Sequence, residues 1–267
     1  MDDNIEVGEG SFIGANSILA KRIIIKGLDQ FKFIAATTSN FDQNLNIEWI
    51  NIKETYDELK KKLSDLNIVL NFAWSRLNNQ SNVKLTNFFL ENKNKDCDLI
   101  FISSLSASPN SHSEYSKNKY AISKLVNEKE ETNIMLGLVN IKNSAQIKLI
   151  IKKLKFFPFS IRFTYNFFNV YLIDATNFEK KILNFLNTQI KSKNFSMYDK
   201  LLGSNEFIEF IETEYNLKKK SKVIIPVILI KFILFIFFKF PFKLKMIDKL
   251  LTFFIKDEKW IQSLNRL

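Results

Sequence analysis

Three side chains near the middle of the sequence have the chemistry to exchange a proton with an alcohol or a carbonyl. Tyr120 and Lys124 are four residues apart and would share one face of a helix, where the ammonium group would lower the pKa of the phenol. Ser104 follows the apolar, strand-like residues 99–103. Its hydroxyl would hold a substrate oxygen beside the phenol, while a hydride moves elsewhere.

The tyrosine–lysine spacing occurs twice, because Tyr115 and Lys119 are also four residues apart. Tyr120 begins a run with apolar residues at helical spacing, and this predicts a helix with a face to bury. Tyr115 lies in a stretch rich in serine, asparagine and lysine, which is typical of a loop. The second copy is therefore the predicted site.

Glycines near the amino terminus predict a phosphate-binding turn. Residues 5–7 favour a short strand, the next seven contain Gly8, Gly10 and Gly14, and residues 15–22 favour a helix. Glycines at a strand-to-helix turn let the backbone approach a pyrophosphate at the helix amino terminus. A tight turn that binds no ligand is the alternative.

Further strands are predicted at residues 31–37, 47–52, 67–73 and 99–103, alternating with helices such as residues 54–63. This alternation predicts a doubly wound α/β fold of the Rossmann type, with a parallel sheet and helices on both faces. Ligands of such sheets bind at the carboxyl ends of the strands. The glycine turn, Ala73–Trp74 and Ser104 would all lie at that edge.

The composition excludes several classes of protein. The 267 residues are 46% hydrophobic and include one cysteine, Cys97, and one histidine, His112, so a zinc site built from these ligands is excluded and a reducing compartment is favoured. The net charge of +11 is spread along the chain, which argues against a nucleic-acid module. The amino terminus does not resemble a signal peptide, so a cytoplasmic protein is expected.

Taken together, these motifs resemble the extended short-chain dehydrogenase/reductase family, in its branch of NAD(P)-dependent sugar-nucleotide epimerases and dehydratases. The family's Gly-x-x-Gly-Phe-Ile-Gly turn is matched by residues 8–14, with Ser11 at the middle glycine. Its Ile-Ser-Ser element is matched by residues 102–104, and its Tyr-x-x-Ser-Lys-x-x-x-Glu helix by residues 120–128. The match extends over about residues 3–140.

The resemblance implies a role for each matching residue. Tyr120 would be the general acid/base, Lys124 would bind the nicotinamide ribose, and Ser104 would hold the reacting oxygen. Substrate would also contact Asn140 and Arg162. The implied cofactor-binding positions are Gly8, Ser11, Phe12, Ile13, Gly14, Thr37, Ala73, Trp74, Tyr120 and Lys124.

The implied function is an NAD- or NADP-dependent oxidoreductase or epimerase of a nucleotide-activated sugar, in the biosynthesis of a surface polysaccharide. No acid or arginine follows the second strand, so the choice between NAD and NADP stays open. Leu105 after Ser104 makes dehydration the least favoured reaction. Ser11 and the loss of the family's Val-Tyr-Gly motivate an alternative, a catalytically weakened cofactor-binding or membrane-associated scaffold protein. The resemblance also predicts a homodimer.

Three parts of the chain are predicted: a dinucleotide-binding domain at residues 1–140, a small α+β substrate lobe at 141–221, and apolar or amphipathic helices at 222–267. The stretch from Val223 to Phe242 is nearly all apolar and follows a run of lysines. Its length approaches the roughly 20 residues that span hydrocarbon. A spanning helix, an interfacial helix on anionic lipid and a buried hairpin remain open interpretations.

Overall fold

A computed structural model gives the fold of the chain. It describes residues 8–13, 15, 17–37, 47–52, 56–73, 79–111, 113–142, 144–188, 194–217, 221–228 and 257–267.

The described chain alternates strands and helices over most of its length. The helices are α1 Ile18–Gly27, α2 Tyr56–Leu63, α3 Asn79–Asn92, α4 Glu114–Glu128, α5 Ala145–Phe156, α6 Ala175–Asn187, α7 Ser204–Glu214 and α8 Glu258–Ser263. The strands are β1 Gly8–Ile13, β2 Phe31–Thr37, β3 Glu48–Asn51, β4 Ile68–Asn71, β5 Asp98–Ser104, β6 Thr132–Leu136, β7 Leu138–Asn140, β8 Ser160–Phe163, β9 Asn169–Asp174, β10 Asn194–Met197, β11 Lys200–Gly203, β12 Lys222–Ile225 and β13 Asn265–Arg266.

The main sheet has eight strands in the order β13-β10-β6-β5-β4-β1-β2-β3, and every neighbouring pair is parallel. The order 3-2-1-4-5-6 within this sheet is that of a doubly wound dinucleotide-binding fold. The predicted Rossmann-type sheet is therefore confirmed. Its reversal of strand order lies between β1 and β4, which places the crevice for a ligand at the carboxyl ends of these two strands.

Helices cover both faces of the sheet, as its apolar strands require. On one face α1 and α6 bury a large cluster that includes Ile23, Phe178 and Ile182. On the other face α2 and α3 enclose a second cluster with Leu59, Phe89 and the thiol of Cys97. Burial raises the pKa of this thiol to about 12.

A smaller lobe is built from two further sheets. Strands β11, β9 and β7 form one sheet, β12 and β8 form the other, and α5 and α7 pack against them around Phe168, Val170 and Phe207.

The predicted division of the chain at residues 140 and 221 does not match the sheets. After β9 the chain returns to the main body, where α6 packs on α1 and β10 pairs with β6. Residues 257–267 return as well, because β13 pairs with β10 at the edge of the main sheet. The body and the lobe are thus each assembled from separate segments.

Two predicted elements are placed differently by the structure. Residues 8–13 form the central strand β1 instead of a turn, because they pair with both β2 and β4. Residues 222–225 form the strand β12, which pairs with β8, instead of beginning a helix. The remainder of the apolar stretch, from Leu229 onwards, lies outside the described residues, and no helix among the described ones is long and apolar enough to cross a membrane.

Candidate active site at the carboxyl edge of the sheet

The corner between β1 and α1 lies at the crevice, three to six residues later in the sequence than predicted. Ser17 caps α1 by accepting a hydrogen bond from the amide of Ala20 at 3.1 Å. Ala15 is fully buried, and its amide donates to the carbonyl of Ala36 in β2 at 3.3 Å. A corner of small residues before a capped helix suits the close approach of a phosphate.

This placement puts most of the predicted phosphate-binding residues in a strand instead of the predicted turn. Gly8, Ser11, Phe12 and Ile13 belong to β1, with Ser11 opposite Ile34 and Val69 in the neighbouring strands. Their main-chain groups therefore pair within the sheet instead of forming a loop. The pairing with β2 extends as far as Ile13. Gly14, predicted for the same role, lies outside the described residues.

The ends of β2 and β4 complete the described part of the crevice. Thr37 is buried at the last position of β2. Asn71, the last residue of β4, is buried and accepts a hydrogen bond from the amide of Ala73 at 2.9 Å. Trp74 lies outside the described residues, as do residues 38–46 after β2.

Ser104 is the last residue of β5 and is half-buried. Its hydroxyl lies 3.0 Å from that of Ser106 and accepts a hydrogen bond from the Ser106 amide at 3.3 Å. The neighbouring Ser103 contacts Ser123 of α4 through their hydroxyls at 2.8 Å. These contacts fix the end of β5 against α4 with a hydroxyl at the carboxyl edge of the sheet.

Both tyrosine–lysine pairs lie in α4, so the prediction that Tyr115 occupies a loop was wrong. The helix begins at Glu114, and the buried Ser113 caps it by accepting a hydrogen bond from the amide of Ser116 at 3.0 Å. Serine is a preferred cap residue because its hydroxyl satisfies an amide that lacks a partner within the helix. The serine-rich composition therefore marks the start of the helix.

Lys119 points into the interior between α4 and β5. Its amine donates a hydrogen bond to the carbonyl of Ile102 at 2.8 Å and lies 4.5 Å from the centre of the Phe101 ring. The residue is only 5% exposed, and burial lowers the pKa of the amine to about 7. The contacts with Ile102 and Phe101 hold this amine within the protein.

Tyr115 shares the face of α4 that covers the sheet. The buried residues of the helix are Ser116, Lys119, Ile122, Ser123 and Val126. At about 100° per residue, Tyr115 falls between Ile122 and Val126 on the helical wheel, adjacent to Lys119. Tyr115 is half-buried and lies in the first turn of the helix, at the carboxyl edge of the sheet.

Two short side chains set the level of α4 against β5. Ser103 and Ser123 touch through their hydroxyls, and Ser104 lies one strand residue, roughly 3.3 Å, further along β5. Because α4 runs antiparallel to β5, Tyr120 lies three helical residues, about 4.5 Å, beyond Ser123 in the same direction, and Tyr115 lies eight residues, about 12 Å, beyond it. Tyr120 is therefore nearly level with Ser104, whereas Tyr115 lies roughly 9 Å further out.

Tyr120 and Lys124 lie on the flank of α4. The Tyr120 ring packs edge-on against Trp260 with the ring centres 6.0 Å apart. The Lys124 side chain is 67% exposed, and its amine lies 3.8 Å from the carboxylate of Glu128. By helical rise Tyr120 is about 7.5 Å further than Tyr115 from the amino terminus of the helix.

The two other predicted substrate ligands form contacts within the protein. Asn140 accepts a hydrogen bond from the hydroxyl of Tyr215 at 2.5 Å, and its amide lies 3.5 Å from Asp174. Arg162 lies in the small lobe, where its guanidinium pairs with the buried carboxylate of Glu212 at 3.1 Å. Asn140 is therefore near the carboxyl end of β7, whereas Arg162 is bound to α7.

The carboxyl-terminal segment forms a wall beside this edge that sequence reasoning missed. The indole of Trp260 donates a hydrogen bond to the carbonyl of Ala107 at 3.1 Å, in the loop between β5 and α4. Asn110 of the same loop donates to Asp257 at 2.8 Å. The only signals in the sequence were one aromatic residue and one acid in a short polar tail.

Among the described residues, no cluster of histidine, cysteine or carboxylate side chains could hold a metal ion.

Known structures share this fold at low sequence identity. The UDP-N-acetylglucosamine 4-epimerase of Bacillus cereus superposes with a TM-score of 0.62 at 16% identity, over 82% of this chain and 85% of that one. The dTDP-glucose 4,6-dehydratase of Bacillus anthracis, solved with NAD, gives 0.63 at 13% identity, over 82% and 85%. A short-chain dehydrogenase/reductase superfamily protein of Agrobacterium tumefaciens with bound NAD gives 0.61 at 12% identity, over 82% and 86%.

The sequence itself matches no protein-family model and no curated protein. The fold implied by the motifs is therefore confirmed in three dimensions, by neighbours that include a sugar-nucleotide epimerase, a sugar-nucleotide dehydratase and a short-chain dehydrogenase/reductase superfamily protein. At these identities the similarity establishes a shared fold: a Rossmann-type body with a small lobe beyond its carboxyl edge.

Proposed function

We propose that this protein is an NAD(P)-dependent oxidoreductase or epimerase of a nucleotide-activated sugar, acting in the biosynthesis of a surface polysaccharide. The observation that carries the proposal is the hydroxyl of Ser104 at the carboxyl end of β5, nearly level with Tyr120 of α4, in a sheet of dinucleotide-binding strand order. The folds of the neighbours, whose substrates are nucleotide sugars, support the substrate class.

The described residues around the crevice fit a dinucleotide. Ala15 and Ser17 form a small corner at the amino terminus of α1, and Thr37, Asn71 and Ala73 lie at the ends of the flanking strands. The adenosine end would lie along β2 and the nicotinamide end toward α4, as the position of the switch point requires. When bound, the nicotinamide supplies hydride transfer.

We assign the proton transfer to Tyr120, Lys124 and Ser104. The Ser104 hydroxyl would hold the reacting oxygen of the sugar, and the Tyr120 hydroxyl would take or return the proton of that oxygen. Lys124, one helical turn further along α4, would bind the nicotinamide ribose. The level of Tyr120 beside Ser104 supports this assignment, whereas the amine of Lys119 is held in the interior by the carbonyl of Ile102.

The proposal is tested by denaturing the purified protein and identifying any released dinucleotide by mass, then by assaying UDP- and dTDP-sugars with NAD and NADP. We expect a bound or exchangeable nicotinamide cofactor and turnover of at least one of these sugars. Cofactor binding without turnover would support the alternative of a scaffold protein. Absence of dinucleotide binding would contradict both.

A further inference from the structure

Trp260 of α8 connects the two hydroxyl-bearing residues of the proposed proton transfer. Its ring packs edge-on against the ring of Tyr120, with the ring centres 6.0 Å apart. Its indole N–H donates to the carbonyl of Ala107 at 3.1 Å, and the amide of Ala107 donates to the carbonyl of Ser104 at 2.8 Å. One side chain thus contacts Tyr120 directly and reaches Ser104 through a single residue.

The segment that carries Trp260 is itself anchored on three sides. Asn110, in the loop between β5 and α4, donates to Asp257 at 2.8 Å, and Asp257 caps α8 by accepting from the amide of Trp260 at 3.1 Å. Asn169 of β9, in the small lobe, donates to Glu258. Beyond the helix, β13 pairs with β10 at the edge of the main sheet. The indole is therefore held in place by the loop, the lobe and the sheet together.

The edge-on contact restricts the part of Tyr120 that the proposed chemistry uses. The two rings cross at 88°, an arrangement that aromatic pairs favour. A tyrosine ring turns about two bonds between the main chain and its hydroxyl, so a neighbour that fixes the ring also fixes the hydroxyl. Transfer of a proton needs heavy atoms about 2.6–3.2 Å apart, and a displacement of about 1 Å can lower the rate about 10²-fold. The position of the ring therefore affects the rate of proton transfer as well as the packing.

We propose that Trp260 is a positioning residue of the candidate active site, which fixes the ring of Tyr120 relative to the loop that follows Ser104. This inference rests on the proposed function, in which the hydroxyls of Tyr120 and Ser104 meet the same oxygen. The indole itself transfers no proton, because its N–H is bonded to Ala107. None of these contacts involves the described cofactor positions at the ends of β1, β2 and β4.

The test measures kcat, KM and the dissociation constant of the cofactor in the full-length protein, with a UDP- or dTDP-sugar that the unaltered protein turns over. Trp260→Leu removes both the ring and the hydrogen bond, and it should lower kcat at least about tenfold. Trp260→Phe keeps a ring beside Tyr120, and it should lower kcat about two- to fivefold. KM and the dissociation constant of the cofactor should change by less than about threefold in both variants.

A double-mutant cycle separates positioning from stability. In the Tyr120→Phe variant, which already lacks the hydroxyl, adding Trp260→Leu should lower kcat by less than about twofold, because residues that act as one unit are not additive. The matched control is Ile261→Ala, which truncates the next residue of α8, 3% exposed in the same cluster, and leaves the indole in place. Its kcat, corrected for the folded fraction seen by circular dichroism, should stay within about threefold of that of the unaltered protein.

The possible failures of the inference and of the proposed function are distinct. Equal kcat values for Trp260→Leu and Ile261→Ala, or a further tenfold loss when Trp260→Leu is added to Tyr120→Phe, would overturn the positioning role and leave the proposed function intact. If Trp260→Leu does not fold, the same cycle with Trp260→Phe decides. An unaltered protein that binds a dinucleotide but turns over no sugar would contradict the proposed function, and the inference with it.

Discussion

Lys119 carries a titratable amine into the interior, and its pKa couples to folding. Burial lowers the pKa from 10.5 to about 7 in the folded state. Between these values the unfolded chain binds a proton that the folded protein does not, so the free energy of unfolding rises with pH across this window. Below about pH 7 both states are protonated, and this contribution to the slope disappears.

We therefore expect Lys119→Met to reduce the rise in stability between pH 7 and pH 9.5, by at most about 1.4 kcal/mol per pH unit. Urea unfolding at several pH values measures the free energy of unfolding of each variant and hence its slope with pH. The control is Lys124→Met, which removes an exposed lysine from the same helix and should leave the slope unchanged. Equal slopes in both variants would show that Lys119 is charged in the folded state throughout this range.

The two tyrosines of α4 are distinguished by a matched pair of variants. Tyr120→Phe should lower turnover of the sugar substrate at least about 10²-fold while the cofactor still binds, because it removes only the hydroxyl that transfers the proton and keeps the ring contact with Trp260. Tyr115→Phe should change turnover by less than about threefold, since Tyr115 lies roughly 9 Å beyond the level of Ser104. Kinetics and cofactor titration measure both. The reverse order of effects would assign the proton transfer to Tyr115.

At the level of single residues, two overlapping pairs obey the same four-residue spacing, and the start of the helix that contains both was not predictable. Its buried face includes Ser116 and Ser123. A search for apolar residues at helical spacing passes over buried serines, so the pattern placed Tyr115 in a loop. The choice of Tyr120 as the reacting tyrosine remains a prediction.

At the level of elements, Gly137 allows the chain to pass from the main sheet into the small lobe. It lies between β6 and β7, and its amide donates to the carbonyl of Met197. A Cβ atom at this position would lie 2.6 Å from the main-chain oxygen of Tyr171 in β9. A main-chain atom within a strand cannot move aside without disturbing the register of β9.

We expect Gly137→Ala to lower the free energy of unfolding by about 1–3 kcal/mol, the usual cost of overpacking. The control is Gly27→Ala at the end of α1, where the Cβ would meet only side-chain atoms of Leu183 and Phe33 at 2.9 Å. These side chains can shift, and alanine favours the helix. The free energy of unfolding should therefore fall less in Gly27→Ala than in Gly137→Ala. Chemical denaturation of both variants measures the difference, and equal losses would show that β9 yields as readily as a side chain.

Most strands and helices followed from the alternation of apolar segments, whereas the start of the sheet did not. The strands predicted at residues 31–37 and 99–103 are confirmed as β2 and β5, which are long and buried. Residues 8–13 were misplaced because two glycines and a glutamate obscure the apolar pattern of a strand. Their pairing with β2 and β4 fixes them as a strand, and pairing between distant segments is not visible in a local window.

At the level of the whole molecule, the last described segment fastens the loop that precedes α4. Trp260 combines a hydrogen bond to Ala107 with a ring contact to Tyr120, and it packs with Leu105 and Met135. The end of the described chain thereby acts on the part of the protein that holds Ser104. The sequence could not predict this return, because residues 257–267 are short, polar and far from α4 along the chain.

Trp260→Ala should lower the free energy of unfolding by about 2–4 kcal/mol, because it leaves a cavity beside the loop. Trp260→Phe keeps most of the packing but removes the hydrogen bond to Ala107. Its free energy of unfolding should therefore fall by only about 1 kcal/mol. Thermal or urea unfolding measures both. If the two variants were equally stable, the segment would not be attached to the loop through this side chain.

The reaction of the Cys97 thiol with an alkylating agent can measure how often the core around α2 and α3 opens. Cys97 is the sole cysteine of the chain, is 1% exposed, and its high pKa disfavours the thiolate that reacts with alkylating agents. Alkylation in native buffer can therefore proceed only as fast as the core around α2 and α3 exposes it. The labelling rate of each variant, read by intact mass, would report how often that half of the protein opens, without added dye or denaturant.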